Sequence, residues 1–174
     1  MFNLYPKVNF KVNDYDYVRA IDLSYTVKIA DQLKTYRGIN YLPYTVQNGE
    51  RPDTVSTKFF NTPNFDWLVL LLNNMHSVYD DWPKDSLTLE NYIVQKYGSI
   101  SNASSTVKYY YDADGDVIDQ TTYNALPASQ RSLETILDYE NKINLQKSRI
   151  RLVSESVANK IYVDLTNLNL VPVV

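Results

Sequence analysis

The sequence of 174 residues has no cysteine and a single histidine, His76. Without cysteine the chain can form neither a disulfide framework nor a thiolate metal site, which indicates a protein that folds in a reducing cytoplasm. One histidine leaves little scope for nucleophilic catalysis, and no G-x-S-x-G motif is present to expose a serine. We therefore predict a protein that is not an enzyme, with His76 as an ordinary polar residue in a loop.

Long apolar runs and clusters of basic residues are also missing. No stretch of about 18 apolar residues occurs, and no basic N-terminal region precedes a short apolar stretch. These absences predict a chain that neither spans a membrane nor follows the usual secretion route. A formal net charge of -3, without a cluster of Lys and Arg, argues against a nucleic-acid partner.

Glycine is scarce and tyrosine is abundant, with 4 glycines and 16 tyrosines in the chain. Tyrosine combines a large apolar ring with a polar tip, and it is enriched at protein interfaces. The abundance indicates either a surface with many protein contacts or a lineage bias in composition. Composition alone does not decide between these two explanations.

The N-terminal part of the chain has the pattern of strands. Apolar and polar residues alternate over residues 8–12, which predicts a half-buried strand followed by a turn at Asn13-Asp14. A second alternation over residues 25–29 leads into a segment at 30–36 that Gly38 ends. We assign residues 1–41 to an N-terminal β or extended segment.

The next part, residues 42–98, has the pattern of a compact module. A strand at 44–46 and a turn at Gly49 precede a helix that Asp53 can cap. A second, strongly apolar helix begins at Thr62-Pro63 and ends at Asn73-Asn74. After an irregular aromatic stretch, a third helix is predicted over 87–97, with Asp85 or Ser86 as its cap and Gly98 at its end.

Residues 99–131 are predicted to be a linker with an inserted β-hairpin. Residues 99–105 form a linker rich in Ser and Asn, and strands at 107–111 and 117–123 flank the acidic turn 112–116. An EF-hand calcium loop needs glycine at its sixth position and glutamate at its twelfth, where this chain has Val117 and Tyr123. The hairpin turn is therefore the better explanation, and no metal or other cofactor is predicted.

Residues 132–174 are predicted to form a C-terminal helix, strand and helix, at 133–146, 148–153 and 155–168. Asp138 and Lys142 have the spacing of an ion pair on the surface of the first helix. In the strand, apolar Ile150 and Leu152 alternate with basic residues, so one face is expected to be core and the other exposed. The basic face is predicted to carry Lys147, Arg149 and Arg151. Together these assignments predict an α+β protein.

Residues 44–73 resemble a LysM module, whose pattern is a Y-x-V strand, a glycine turn, two helices and an asparagine. LysM modules commonly bind N-acetylated glycans. The chain departs from them at Glu50–Asp53, which replaces the usual Asp-Thr-Leu turn, and no I-x-x-G-x-x-L-x-I-P strand follows Asn73. The resemblance implies a LysM-like module and leaves a peptidoglycan-binding accessory role as an alternative, with glycan binding disfavoured.

A second resemblance covers nearly the whole chain. Six segments resemble, in order, the baseplate wedge protein 53 family of T-even-type contractile phages: 49–53, 67–74, 81–83, 96–98, 139–142 and 149–152. The chain departs from that pattern at the hairpin of about residues 106–123. The resemblance implies a structural protein without a cofactor, located in the virion tail baseplate and in the host cytoplasm during assembly. It also implies that the protein joins wedges into a sixfold ring around the tail hub.

The implied partners are other wedge proteins and tail-tube or sheath-initiator proteins, with neither nucleic acid nor membrane among them. Our candidate partner-binding residues come from three places in the sequence: Arg51 and Asp53; Tyr79, Trp82 and Pro83; Arg149 and Arg151. Trp82 is an anchor candidate because proline extends the chain before it, although a core position explains it equally well. For Arg51 and Asp53, a role in capping and orienting the first helix is favoured over contact with a partner. For Trp67, on the apolar helix, a core position is favoured.

Overall fold

The computed structural model of the chain describes residues 7–13, 17–21 and 40–168. It divides into two compact units. The first unit contains the described parts of Met1–Tyr44, Glu50–Val78 and Ile150–Val174, and the second contains Thr45–Gly49 and Tyr79–Arg149. The four-part division predicted from the sequence stays a prediction.

In its described residues, the first unit combines short strands with three α-helices. Its elements are β1 (Lys7–Lys11), β2 (Tyr17–Ile21), β3 (Leu42–Thr45), α1 (Pro52–Phe60), a 3-10 turn (Pro63–Phe65), α2 (Asp66–Leu72), β7 (Arg149–Leu152) and α7 (Glu155–Leu168). Strands β1 and β2 pair in antiparallel register. The predicted N-terminal strand is thus confirmed one residue earlier than expected, whereas the segment predicted at 25–38 lies outside the described residues.

Apolar residues of α1, α2 and the turn between them form much of the first unit's core. Trp67 is buried, as predicted, and Leu68 and Val69 have no exposed surface. Ser56 of α1 bonds to the segment that links α1 to α2. Its hydroxyl donates to Thr62 O at 2.5 Å and accepts from Phe65 N at 3.1 Å. A fully buried serine with both roles satisfied fixes the path between the helices without an unpaired polar group.

Strand β3 pairs with β7, although a long stretch of sequence separates them. The side chain of Asn73, at the end of α2, lies against β7: its Oδ1 accepts from Arg151 N at 2.7 Å, and its Nδ2 donates to Arg151 O at 2.9 Å. The sequence shows no closing strand directly after Asn73, and the structure supplies a paired strand from residues 149–152 instead. One amide side chain therefore satisfies both backbone groups of Arg151, which closes the strand edge at that residue.

The second unit packs helices against a three-stranded sheet. Its elements are α3 (Ser86–Tyr97), α4 (Ile100–Ser105), β4 (Val107–Asp112), β5 (Val117–Ile118), α5 (Gln120–Ala125), a 3-10 turn (Ala128–Gln130), β6 (Arg131–Thr135) and α6 (Ile136–Ser148). The strand order is β5-β4-β6, with both pairs antiparallel. Helix α3 begins as predicted, since the side chain of Asp85 accepts from Thr88 N, and it ends at Gly98 with φ of 87°.

The predicted linker at 99–105 is wrong, because residues Ile100–Ser105 are a helix. The Ser99 side chain accepts a hydrogen bond from Asn102 N, and Ala103 is fully buried. Serine and asparagine suit a helix cap as well as a loop, so composition alone misled the assignment. A small buried alanine gives this short helix its tertiary support.

The hairpin is confirmed around its acidic turn, but its second strand is shorter than predicted. Asp112 Oδ1 accepts from the backbone N–H groups of Asp114 and Asp116, so this carboxylate shapes the turn. Strand β5 ends at Ile118 because Asp119 caps helix α5, accepting from Thr121 N and Thr122 N. Residues 119–123 therefore start a helix where the sequence predicted strand.

A second correction concerns the start of α6. Residues 133–135, predicted as helix, belong to β6, which pairs with β4. Thr135 and Asp138 form a capping box, and Lys142 pairs with Glu134 at 2.9 Å rather than with Asp138. The predicted Asp138–Lys142 pair is therefore wrong, because the box takes up the Asp138 carboxylate.

The C-terminal strand and helix match the sequence pattern closely. Ile150 and Leu152 of β7 are buried while Arg149 and Arg151 are exposed, and α7 spans the predicted residues. The predicted α+β class is confirmed. In the part of the chain that the structure describes, no helix combines the length and apolar character needed to cross a bilayer.

Candidate functional site

The loop Tyr79–Lys84 of the second unit is held in place by side chains on both sides of it. Lys84 Nζ donates to Tyr79 O at 2.6 Å, and Lys147 Nζ donates to Asp80 O. Asn144 of α6 accepts from Lys84 N at 2.7 Å and donates to Lys84 O at 2.9 Å. The loop lacks regular secondary structure, yet its main chain is fixed at both ends.

Within this loop, the three candidate residues have different environments. The Trp82 side chain is only 5% exposed, so it belongs to the unit's own core, and Pro83 is half-buried. Tyr79 is 88% exposed. The structure therefore favours the core explanation for Trp82 and presents Tyr79 as the exposed aromatic residue of the loop.

A cavity of about 300 Å³ lies beside the loop, between helices α3 and α6. Its lining includes the aromatic rings of Tyr92 and Tyr139 and the ammonium groups of Lys84, Lys96 and Lys147. Asp80 and Glu140 are the acidic residues of the same lining. The cavity is thus polar, with aromatic sides, and opens next to the loop that bears Tyr79.

Glu140 of α6 is the buried charge of this site. Its Oε1 accepts from the Tyr97 hydroxyl at 2.5 Å and from Lys96 Nζ at 2.9 Å, and Lys96 also donates to the Tyr92 hydroxyl at 2.7 Å. Lys96 lies 5.0 Å from the Tyr92 ring centroid and 5.1 Å from that of Tyr97. Hydrogen bonds and a paired ammonium therefore compensate a carboxylate that is 6% exposed.

These contacts shift the protonation of both ionic partners. Burial opposes ionisation of Glu140, but the hydrogen bonds from Tyr97 and Lys96 outweigh it and lower the pKa of Glu140 below its ordinary 4.5. The hydrogen bonds of Lys96 to Tyr92 and Glu140 raise the pKa of Lys96 above its ordinary 10.5. Both groups are thus charged across the neutral range.

We expect the ion pair to make the protein sensitive to acid. A lowered folded-state pKa means that Glu140 stabilises the fold above pH 4.5 and loses that contribution as the pH falls through the folded value. Urea unfolding at a series of pH values should therefore show a steeper acid loss for wild type than for Glu140→Gln. Glu90→Gln, at an exposed position on α3, is the control. Equal slopes for wild type and Glu140→Gln would contradict the assignment.

Arg51 and Asp53 lie at the start of α1 in the first unit. Arg51 is the N-cap residue by position, without a side-chain cap bond, and its Nε is 3.2 Å from Asp53 Oδ1. Asp53 is therefore a first-turn acid, not the predicted cap. Nearby, the Tyr44 hydroxyl donates to both Glu50 carboxylate oxygens, at 2.6 and 2.8 Å, and Lys58 pairs with Glu50.

Arg149 and Arg151 are both exposed on β7, as the alternation predicted. The Arg151 guanidinium lies 5.1 Å from the Tyr41 ring centroid, which orients one of the two charges. Lys147, which the same alternation also assigned to the basic face, belongs to α6 and donates to Asp80 O. The basic face of β7 therefore consists of two arginines.

Sequence reasoning found the exposed residues of these surfaces but missed the groups that position them. Asn144 and Glu140 bind partners more than 40 positions away in the sequence, and Lys84 binds across a turn of its own loop. No local sequence pattern predicts these contacts. The motif Asp81-Trp82-Pro83 was the available signal for the loop. Among the described residues, no group of three or more His, Asp or Glu side chains could hold a metal ion.

The comparisons with known proteins agree with the segment resemblance. A family model described as base plate wedge protein 53 matches residues 7–171, which is nearly the whole chain. A search of curated proteins gives no match. The matched range includes the loop with Tyr79, the α3–α6 cavity and both arginines of β7. The chain therefore belongs to the base plate wedge protein 53 family.

Proposed function

We propose that this chain joins neighbouring baseplate wedges and promotes their closure into a sixfold ring around the tail hub. Membership of the family makes it a structural protein of the phage baseplate wedge, located in the virion tail. The partners that we propose are other wedge proteins and tail-tube or sheath-initiator proteins. Assembly is expected to take place in the host cytoplasm.

The observation that carries this proposal is the exposure of Tyr79 on a fixed loop. A phenol ring that is 88% exposed gains much from burial, and its hydroxyl can remain hydrogen-bonded at an interface. The hydrogen bonds from Lys84 and Lys147 to the loop carbonyls fix the main chain in advance. A partner therefore loses little free energy in ordering this loop, as expected of an interface anchor.

The basic face of β7 supports the proposal as a second surface. Arg149 and Arg151 point away from the core formed by Ile150 and Leu152, so both charges are available to an acidic neighbour. Two like charges on one strand can steer and register a partner. Arg51, beside Asp53 at the start of α1, is an additional exposed candidate.

We expect Tyr79→Ala to weaken the association of the chain with wedge partners while leaving its folding nearly unchanged. Loss of an aromatic anchor costs about 2 kcal/mol or more in binding, which is roughly thirtyfold in affinity. The measurement is the affinity for purified wedge partners together with the melting temperature. The matched control is Tyr123→Ala, which removes a half-buried tyrosine packed within the second unit and should instead lower stability. Unchanged affinity of Tyr79→Ala would remove the anchor and with it the main support for the proposal.

A LysM-type role in binding peptidoglycan is the alternative function. Its support is the order of strand, two helices and Asn73, to which β7 adds a paired strand. In the turn at Glu50–Asp53, however, the polar side chains bind each other: Glu50 accepts from Tyr44, and Arg51 pairs with Asp53. These internal contacts leave less of the turn for a sugar, so wedge joining is the stronger proposal.

A further inference from the structure

A second cavity adjoins the one between α3 and α6. It has a volume of about 260 Å³ and shares Lys84, Leu89 and Asn144 with the first cavity, so the two form one groove within the second unit. Each is close to the lower limit of the roughly 300–1,000 Å³ typical of ligand clefts. By volume, the two adjoining cavities together can hold more than one residue of a bound segment.

Positive charge is concentrated at one end of this groove. Lys84 and Lys96 lie 5.3 and 5.0 Å from the centroid of the same Tyr92 ring, and Lys147 lines the same cavity. Lys96 is paired with the Glu140 carboxylate. Lys84 and Lys147 instead donate hydrogen bonds to main-chain carbonyl groups, those of Tyr79 and Asp80. Each of these two ammonium groups has further donors for an incoming acid, because lysine carries three N–H bonds.

The acidic residues that line the same cavity do not cancel this positive charge. Glu140 is compensated by Lys96 and Tyr97, which leaves Asp80 as the remaining carboxylate of the cavity lining against Lys84 and Lys147. The raised pKa of Lys96 keeps that ammonium charged as well. The groove is thus locally cationic in a protein whose formal net charge is -3.

The other end of the groove is lined by amides. Gln47, Asn48 and Asn141 lie there, together with the shared Asn144. Asn144 already binds Lys84 N and O, and Asn48 Oδ1 accepts from Ser86 N. The Asn48 N–H₂ group and the Asn141 amide are therefore the groups that suit the C=O and N–H groups of an extended main chain. The groove therefore combines groups for a peptide backbone with ammonium groups for acidic side chains and aromatic walls beside them.

We infer that the groove between α3 and α6 binds an extended acidic segment, rich in Asp or Glu, of a neighbouring baseplate protein. This inference rests on the proposed role in joining wedges and names the chemistry of one partner. Charge complementarity at Lys84 and Lys147 provides recognition, and the exposed Tyr79 of the adjoining loop adds an apolar contact. A peptide is favoured over a nucleic acid because amides line half of the groove, where a phosphate backbone needs cations along its length.

The test measures binding of a fluorescein-labelled hexaglutamate peptide to the full chain by fluorescence anisotropy, at low and at physiological salt. We expect Lys84→Gln with Lys147→Gln to weaken binding roughly tenfold or more, because both ammonium charges that face the peptide carboxylates are removed. Lys84→Arg with Lys147→Arg should restore most of it. The control pair Lys11→Gln with Lys160→Gln changes net charge equally at exposed positions outside the groove and should bind as wild type does.

Three results would overturn the inference: no binding of hexaglutamate to the wild-type chain, equal loss in the control pair, or oligothymidylate binding as tightly as the peptide. If the glutamine variant does not fold, amide chemical shifts of the wild-type chain decide. Shifts on addition of hexaglutamate must then concentrate on α3, α6 and the loop before Lys84, and shifts elsewhere count against the groove.

Failure of this inference can be told apart from failure of the proposed function. Peptide binding is measured on the isolated chain, whereas ring closure is measured with wedge partners. Normal ring closure by a chain that cannot bind hexaglutamate would overturn the groove alone. Normal peptide binding by a chain whose Tyr79→Ala variant joins wedges as wild type does would leave the groove in place and count against the proposed anchor.

Discussion

The double variant Arg149→Glu with Arg151→Glu is expected to fold with a nearly normal melting temperature and to fail to join wedges into rings. The fold is preserved because Ile150 and Leu152, at 2% and 0% exposure, carry the packing of β7. The backbone of Arg151 also keeps both hydrogen bonds from Asn73, since these involve only main-chain atoms of the arginine. Assembly is lost because two attractive charges become two repulsive ones at the interface.

The double variant should be slightly less stable than wild type, because Arg151→Glu removes the contact between the arginine and the Tyr41 ring. The Arg151 guanidinium lies 5.1 Å from that ring, and an exposed cation–π contact contributes about 0.5–1 kcal/mol. Arg151→Glu alone should therefore show a small drop in melting temperature and a milder, salt-sensitive defect in assembly, because surface charges are screened by salt.

Ring formation by purified wedges, followed by electron microscopy and sedimentation, measures the effect. Lys11→Glu with Lys160→Glu makes the same change in net charge at exposed positions elsewhere and should assemble normally. If the Arg149→Glu, Arg151→Glu variant forms rings at physiological salt, the two arginines are merely solvent-exposed residues of β7. In that case their part in docking should be abandoned.

Trp82→Ala is expected to have the largest effect on stability. The ring is 5% exposed, and truncation of a buried tryptophan costs about 3–5 kcal/mol through lost burial and a remaining cavity. Domains are stable by only about 5–15 kcal/mol, so much of the free energy of unfolding would be lost. The loop that carries Tyr79 should loosen as well, because Trp82 lies within it.

Urea unfolding of Trp82→Ala beside Tyr79→Ala gives the comparison. We expect a large loss of stability in the first variant and a change within about 0.5 kcal/mol in the second, as is usual for an exposed position. Association with wedge partners should weaken in Tyr79→Ala even when all of the chain is folded. A Trp82→Ala chain of normal stability with weakened partner affinity would restore the anchor role that the sequence left open for Trp82.

The structure adds a third explanation for the abundance of tyrosine, besides a surface with many protein contacts and a lineage bias in composition. In the second unit several tyrosines pack against one another inside the unit, as Tyr109 does with Tyr139 at 5.7 Å between ring centroids. Others donate their hydroxyl groups to buried or half-buried carboxylates, as Tyr97 does to Glu140 and Tyr111 does to Glu134. These tyrosines are half-buried around the core of the unit, with several hydroxyl groups bonded to carboxylates, whereas Tyr79 is exposed.

The sequence by itself determined the elements whose signals are local. Gly98 ends α3 because a positive φ favours glycine, Asp85 caps the same helix, and alternation placed Ile150 and Leu152 inside. The order of short motifs was sufficient for the family, since it spans almost the whole chain. The same local rules failed at 99–105 and 133–135, where serine and asparagine suit both cap and loop and where strand pairing overrides helical spacing.

Only the tertiary structure decided which side chains act together. Strand β3 pairs with the distant strand β7, and Asn73 closes the β7 edge at a residue 78 positions away, contacts that no periodicity encodes. Burial likewise separates Trp82 from Tyr79 within one aromatic loop, because exposure depends on what packs against each ring. The cavity has its cationic lining because the loop with Lys84 and the two helices with Lys96 and Lys147 meet around it. Local sequence patterns do not reveal such a cluster, because these three lysines are far apart in the chain.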